Sequence, residues 1–306
     1  MTARTAQPAL AVATTPGSAI AAMAATTTAA TAATAATNAA TTAATTAATT
    51  TTATTAAPAA ATAAPEIAAD SPTIAVRIAA FDWAGLAAEL DAHGAAVLDQ
   101  LLSPGECAAL AARYGEPEGF RSRVVMASHG FGRGEYKYFA YPLPALVAEL
   151  RAALYPALAP IANRWSAELG LDVSYPDDHA SFLARCHAAG QARPTSLLLA
   201  YTEGDYNCLH QDLYGEHVFP LQVAILLSEP GRDFTGGEFV MTEQRPRMQS
   251  RPMVVPLRRG DAVVFAVQHR PVHGLRGPYR VNLRHGVSRV RSGRRHTLGV
   301  IFHDAA

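Results

Sequence analysis

The stretch Ser196-Leu-Leu-Leu-Ala-Tyr201-Thr-Glu-Gly204-Asp-Tyr-Asn207-Cys-Leu-His210-Gln-Asp212 decides how the rest of the chain is read. An apolar run of strand length ends at a turn around Gly204, and a second short segment then brings His210 and Asp212 two residues apart. Side chains on a strand alternate with period two, so an imidazole and a carboxylate at this spacing are expected on one face. Two such groups make an incomplete metal site. A second imidazole from a distant strand would complete a two-His, one-carboxylate facial set, which leaves positions open on iron(II) for 2-oxoglutarate and O2.

Outward from that stretch, 218–227, 238–241, 253–257, 262–267, 279–283 and 297–302 are short apolar or β-branched runs separated by Gly, Pro, Asp and Arg. Strands at such spacing predict a β-sandwich or barrel. Upstream the pattern is helical. Residues 81–90 carry apolar side chains at helical spacing, and Ser103-Pro-Gly-Glu106 is a capping box that opens a helix over 104–113. Residues 144–170 predict one or two amphipathic helices broken near Pro156 or Pro160, and 180–189 another helix. The expected class is α+β: a helical N-terminal part over 66–194, then a β core over 195–306.

Residues 21–64 hold only three positions that are neither Ala nor Thr, and no charge occurs between Arg4 and Glu66. A helix there would have no apolar face to bury, so nothing would offset the entropy of ordering it. Residues 1–65 are expected to form a disordered tail, not a signal peptide or a membrane span. The roughly 235 residues that follow suit one large domain, or a core plus a helical extension. Cys107, Cys186 and Cys208 lack CxxC spacing, which points to a reducing cytoplasm. Formal net charge is zero, yet 244–295 hold thirteen arginines and one acidic residue, Asp261. Such a cluster attracts phosphates or other anions, nucleic acid among them; a solvated face is the alternative.

For the second imidazole the choice is His285. Ten residues later come Arg295 and Thr297, again two apart, and a guanidinium fork with a hydroxyl suits the distal carboxylate of 2-oxoglutarate. A competing assignment takes His273, or His269, as ligand, with Arg280 or Arg284 on the co-substrate. Tyr201 either reaches the co-substrate or packs in the core. Asn207 either bonds 2-oxoglutarate, orients a ligand or serves the turn. Gly237 permits a close backbone approach or a bulge. His303 and Asp304 are read as packing or fraying. Residues 120–139 mix glycine, aromatic and basic side chains, and form either a substrate lid or a loop leading into a strand.

With these residues named, 196–304 resemble the iron(II)/2-oxoglutarate oxygenase superfamily and its His-x-Asp…His…Arg-x-Ser/Thr pattern. Tyr201-x-x-Gly204 followed by Leu209-His-Gln-Asp212 is similar to the opening of AlkB-type nucleic-acid demethylases. Gly236-Gly-Glu238 and Gly260-Asp-Ala-Val-Val-Phe265 resemble strands of prolyl-hydroxylase-like members. Across 93–304 the chain resembles a bacterial oxygenase family proposed to act on damaged DNA. The resemblance implies a double-stranded β-helix, or jelly roll, and a dioxygenase that uses Fe(II), 2-oxoglutarate and O2. Such an enzyme oxidises a C–H bond while converting 2-oxoglutarate to succinate and CO2. A damaged nucleic acid, a protein side chain and a small molecule are the open substrate classes. Asn207 departs from the prolyl-hydroxylase-like pattern, which places Tyr three residues before the first His. A non-catalytic metal- or anion-binding jelly roll is the alternative from another class. A zinc hydrolase is disfavoured, because no His-Glu-x-x-His arrangement occurs.

Overall fold

Helices gather ahead of the first core strand of the barrel. In a computed structural model, which describes residues 72–213 and 215–306, they are α1 (Ile74–Ala79), α2 (Trp83–His93), α3 (Pro104–Arg113), α4 (Ala145–Glu168) and α5 (His179–Ala188). The expected tail at 1–65 lies outside the described residues. The capping box forms as read, with Ser103 and Glu106 each satisfying a backbone amide at the start of α3.

Between the helices run β1 (Ala95–Leu98), β2 (Phe120–Val125), β3 (Gly132–Arg133) and β4 (Glu135–Phe139). The C-terminal strands are β5 (Leu197–Thr202), β6 (Tyr206–His210), β7 (Leu221–Leu226), β8 (Phe234–Gly236), β9 (Phe239–Gln244) and β10 (Arg251–Val255), followed by β11 (Ala262–Ala266), β12 (His269–Gly274), β13 (Gly277–Val287) and β14 (Val290–Val300). They form two antiparallel sheets. The larger runs β1-β11-β7-β14-β5-β4-β2, and the smaller runs β10-β9-β13-β6-β3 with β12 beside β13. Residues of both sheets line one cavity, as in a jelly roll.

At β7 and β11 the larger sheet is buried on both faces. Val223, Ile225, Leu298 and Val300 join one core with Leu150, Leu154 and Leu158 of α4, while the alternate residues face the cavity. That explains why β7 and β11 are apolar without alternation. α4 is also long and apolar enough to cross a membrane, and half of that stretch is buried inside the fold.

Two expectations need correction. α4 is one continuous helix that contains Pro156 and Pro160. An internal proline costs about 3 kcal/mol. Burial of a large apolar side chain returns roughly 1.5–3 kcal/mol, and α4 buries Val147, Leu150, Leu154, Leu158, Ile161 and Trp165. Nor is 66–194 purely helical: β1 pairs with β11, β4 with β5, and β3 with β6. These strands have two to six residues, too short for their periodicity to stand out.

The stretch 120–139 is accordingly sheet, joined by a short 3-10 turn at Met126–His129, and not a detached lid. At the C-terminus Asp304 is fully buried and does not fray: it accepts from Arg151 at 2.8 Å and from the Tyr141 hydroxyl at 2.8 Å.

Candidate metal centre and co-substrate pocket

β6 ends at His210, and its register partner on β13 is His285. Directly opposed residues on neighbouring strands bring their side chains together, and the two imidazole rings stand 4.2 Å apart. Asp212 lies beyond the end of β6, so the expected shared strand face is not how it arrives. Strand pairing stops at His210, the chain turns, and the carboxylate comes back between both rings. Its Oδ1 is 3.4 Å from His210 Nε2 and its Oδ2 is 3.5 Å from His285 Nε2. One donor atom from each of the three residues lies within 4.8 Å of the others.

Local contacts aim these donors. His210 Nδ1 sits 2.8 Å from the Cys208 carbonyl and donates to it, which leaves Nε2 as the ring nitrogen turned to Asp212. Phe265 holds the His285 ring at 4.5 Å. Burial alone would raise the Asp212 pKa, but hydrogen bonds and charge from His210 and His285 hold it far below the usual carboxylate range. Burial works against charge on His210 too, yet Asp212 shifts that imidazole upward. His285, enclosed more completely, is shifted downward by burial. The result is an ionised carboxylate with two imidazoles, gathered loosely enough to converge on a shared cation.

Arg295 on β14 is in register with Tyr201 on β5. Its Nη1 donates to Thr297 Oγ1 at 2.5 Å, and its guanidinium carbon lies 5.5 Å from the Tyr201 ring centre and 5.8 Å from that of Phe234. Arg295 is 1% exposed, and Nε has no acceptor. Burial pulls its pKa down to about 10. No carboxylate among the described residues forms an ion pair with it; Glu238 turns instead to Ser288. Gly237 makes the room: at φ +63°, a Cβ there would stand 3.0 Å from Arg295 Cδ. A buried charge with one hydroxyl and two ring faces in contact, and Glu238 acting only from a distance, is costly. The pocket is therefore complementary to an anion with two oxygens.

The Tyr201 hydroxyl is fully buried and makes no hydrogen bond of normal geometry, although Asn207 stands near enough to favour its ionised form; burial dominates and raises its pKa. Tyr201, Asn207, His210, Asp212, His285, Arg295 and Thr297 all line one cavity of about 290 Å³. The competing residues do not reach it. His273 is exposed and pairs with Glu168 at 3.3 Å. His269 lies opposite Asn282, and Arg280 and Arg284 point to solvent. Tyr136 and Tyr138, from the stretch 120–139 expected as a lid or a loop, line the cavity from β4, and one further lining residue, Gln222, escaped the sequence reading. For Gln222 a signal existed, since it is the one polar residue in an apolar run of strand length.

Residues 134–305 match the profile of a family described as "Oxygenase, catalysing oxidative methylation of damaged DNA". The chain belongs to this oxygenase family. Two proteins of Mycobacterium tuberculosis, from strains CDC 1551 and H37Rv and both titled uncharacterized, are each 53% identical to the oxygenase over 168 residues. The match covers 55% of this chain and 72% of each relative. Among solved structures, a Pseudomonas putida prolyl-4-hydroxylase superposes with TM-score 0.45 at 16% identity, covering 73% of this chain and 100% of that one. A 2OG-Fe(II) oxygenase-family oxidoreductase of Burkholderia pseudomallei superposes with TM-score 0.42 at 18% identity, covering 74% and 92%.

For an oxygenase with this donor set, the group to test against the site is Fe(II) with 2-oxoglutarate and O2. The cavity fits them by its own chemistry. Two imidazoles and a carboxylate suit a ferrous ion, and the unpaired guanidinium suits a dicarboxylate.

Proposed function

We propose that His210, Asp212 and His285 hold the iron, that Arg295 and Thr297 receive the distal carboxylate of 2-oxoglutarate beside Tyr201 and Asn207, and that the substrate is an alkylated base in single-stranded nucleic acid. The observation that carries this reading is the pairing, in one cavity, of the His-Asp-His cluster with a buried arginine that has no carboxylate of its own. When bound, the iron supplies O2 activation coupled to decarboxylation of 2-oxoglutarate. The protein's share is positioning. Asp212 stays ionised, His210 keeps its proton on Nδ1, and the apolar walls around Phe239 and Phe265 exclude water.

The atoms balance for oxidation of a methyl group. R–CH3, O2 and 2-oxoglutarate give R–CH2OH, succinate and CO2, and an N-hydroxymethyl group then releases formaldehyde. That reaction removes a methyl group, and no methyl donor takes part. Support for a nucleic acid comes from β13, where Arg280, Asn282 and Arg284 face solvent while Val281, Leu283 and His285 face inward. A basic row thus leads along the strand to a proposed iron ligand. We place the protein in a reducing cytoplasm, where iron stays ferrous and the three thiols stay free.

The test is anaerobic addition of Fe(II) and 2-oxoglutarate, watched for a metal-to-ligand charge-transfer band. A well-loaded sample without that band refutes the site assignment. For the substrate, succinate release is compared between N-methylated single-stranded DNA and peptide pools; stimulation by peptides alone removes the nucleic-acid reading. Binding of the DNA should weaken steeply with salt, and Arg280→Ala and Arg284→Ala should each lower the slope of log K against log salt by about one.

A further inference from the structure

Every position of β7 is buried, and its one polar side chain, Gln222, is 3% exposed and lines the cavity. The Gln222 amide nitrogen is shut off from solvent and has no hydrogen-bond acceptor. A buried donor left without a partner is destabilising, and a leucine of similar volume would avoid that cost. Fold stability therefore gives no reason for a glutamine here.

Its position in the barrel supplies one. Ala224 and Val223 are in register with Gly299 and Val300 of β14, which carries Gln222 to the level of Ile301. Ile301 is six residues beyond Arg295, about 20 Å along the strand at roughly 3.3 Å per residue. Gln222 and Arg295 thus enter the cavity at different levels. On the other side Gln222 is the register partner of Phe265, whose ring packs 4.5 Å from His285. Gln222 thus stands at the metal end of the cavity, away from Arg295.

The walls at that level are aromatic. Tyr138 is in register with Leu197, itself the partner of Gly299, and Arg121 lies 4.4 Å above the Tyr138 ring. At the mouth, exposed Phe131 stacks on His129 at 5.3 Å. With about 290 Å³ the cavity is at the lower limit for small-molecule sites, roughly 300–1,000 Å³. It accommodates the co-substrate and one ring-sized group, so a polymer must insert a single side group.

We propose that Gln222 is a substrate-positioning residue whose amide N–H donates to a ring nitrogen or carbonyl oxygen on one planar ring, inserted beside Tyr138. This rests on the nucleic-acid reading above, in which the ring is the alkylated base, turned out of its strand.

The test compares Gln222→Leu, which removes the amide at similar volume, with Gln222→Glu, which replaces the donor by an acceptor. The probes are single-stranded oligonucleotides carrying N-methylated adenine or cytosine. Both variants should keep the wild-type charge-transfer band and KM for 2-oxoglutarate. Gln222→Leu should unfold at or above the wild-type temperature without substrate. For the oligonucleotide, KM should rise about tenfold or more, as expected for a lost buried hydrogen bond, and more 2-oxoglutarate should be consumed per base oxidised. A raised KM for 2-oxoglutarate would move Gln222 to the co-substrate and overturn the proposal. A lowered unfolding temperature with unchanged oligonucleotide KM would make it structural. If no methylated oligonucleotide stimulates the wild-type enzyme, the base is not the occupant and the proposal fails, while the band in the same sample still reports separately on the iron and 2-oxoglutarate site.

Discussion

Replacing Arg295 by Met should leave the unliganded fold nearly as stable as before and yet remove 2-oxoglutarate binding. The side chain is 1% exposed and has one hydroxyl partner, Thr297, with ring contacts to Tyr201 and Phe234. Losing a charged hydrogen bond costs about 1.5–3 kcal/mol, and the ring contacts add about 0.5–1 kcal/mol each. Against this, removing a buried charge without an ionic partner recovers several kcal/mol of desolvation. The two sides nearly cancel. Arg270 provides the contrast, since it is equally buried but ion-paired with Glu243; breaking such a pair costs about 3–5 kcal/mol. For the ligand, two charge-assisted bonds at about 1.5–3 kcal/mol each imply a loss of roughly 10²- to 10⁴-fold in Kd. Thermal unfolding of the metal-loaded protein reads both effects. At 100 times the wild-type Kd, 2-oxoglutarate stabilises the wild type by about 2.7 kcal/mol, a Tm shift on the order of 5–10 °C for a domain of this size. Arg295→Met should show no shift, and Arg270→Met should keep the shift from a lower starting Tm. A normal shift in Arg295→Met would refute its role as the carboxylate partner. A loss of 3 kcal/mol or more in the unliganded variant, on the order expected for a broken ion pair, would refute the claim that the pocket holds an uncompensated charge.

His210→Ala and His285→Ala should each abolish iron binding, measured as metal content after anaerobic loading, while His273→Ala keeps it; the reverse pattern would transfer the ligand role. Burial, with the charge of Arg151 adding to it, depresses His179 and His303 to about 4. Both are neutral in the fold and gain a proton on unfolding, so their contribution is complete above pH 6.5 and is lost as pH falls from 6.5 towards 4, by about 3 kcal/mol each. Tm should fall through that window, and His179→Gln should flatten the fall; an unchanged slope would count against the buried neutral imidazole. Gly237→Ala combines a left-handed φ of +63° with a Cβ 3.0 Å from Arg295 Cδ, so KM for 2-oxoglutarate should rise with a stability loss of about 1–2 kcal/mol. Gly190→Ala, at φ +80° with open space around it, should show the stability loss alone.

β5, β7 and β11 were legible because each is an apolar run between turn residues, and α3 because its capping box is local; β8 and β12 went unread, β13 extends past the run at 279–283 on both sides, and β14 begins well before the run at 297–302. His285 was reachable from His210 through the order of strands, and Arg295 through its spacing from Thr297. What stayed hidden depends on distant pairing. β2 and β4 join the barrel only through β5, so Tyr136 and Tyr138 looked like residues of a glycine-rich loop. The approach of Asp212 was misjudged because alternation holds only while a strand is paired, and β6 ends at His210. Helix α4 was expected to break at its prolines because local rules take no account of the core that its other face buries.

The arginine cluster shows the same limit in its electrostatics, and resolving it bears on function. Counted along the chain, 244–295 look like a uniform basic patch. In space, Glu243, one residue outside that window, draws in Arg245 at 2.9 Å, Arg251 at 3.4 Å and the buried Arg270. Arg259 lies 3.6 Å from Glu229, and Arg295 is inside the cavity. A linear count cannot register such neutralisation, because its partners come from other strands and loops. Of the arginines that remain exposed, Arg280 and Arg284 lie on the strand that carries His285, with Arg284 its immediate neighbour. Alternation along β13 turns these two outward and His285 inward, so a phosphate backbone held on the outer face passes beside the strand whose other face meets the proposed iron. On the proposed nucleic-acid reading the basic surface that matters is a short row on one strand, and neutralising Arg247 or Arg294 elsewhere on the surface should change DNA affinity less than neutralising Arg284.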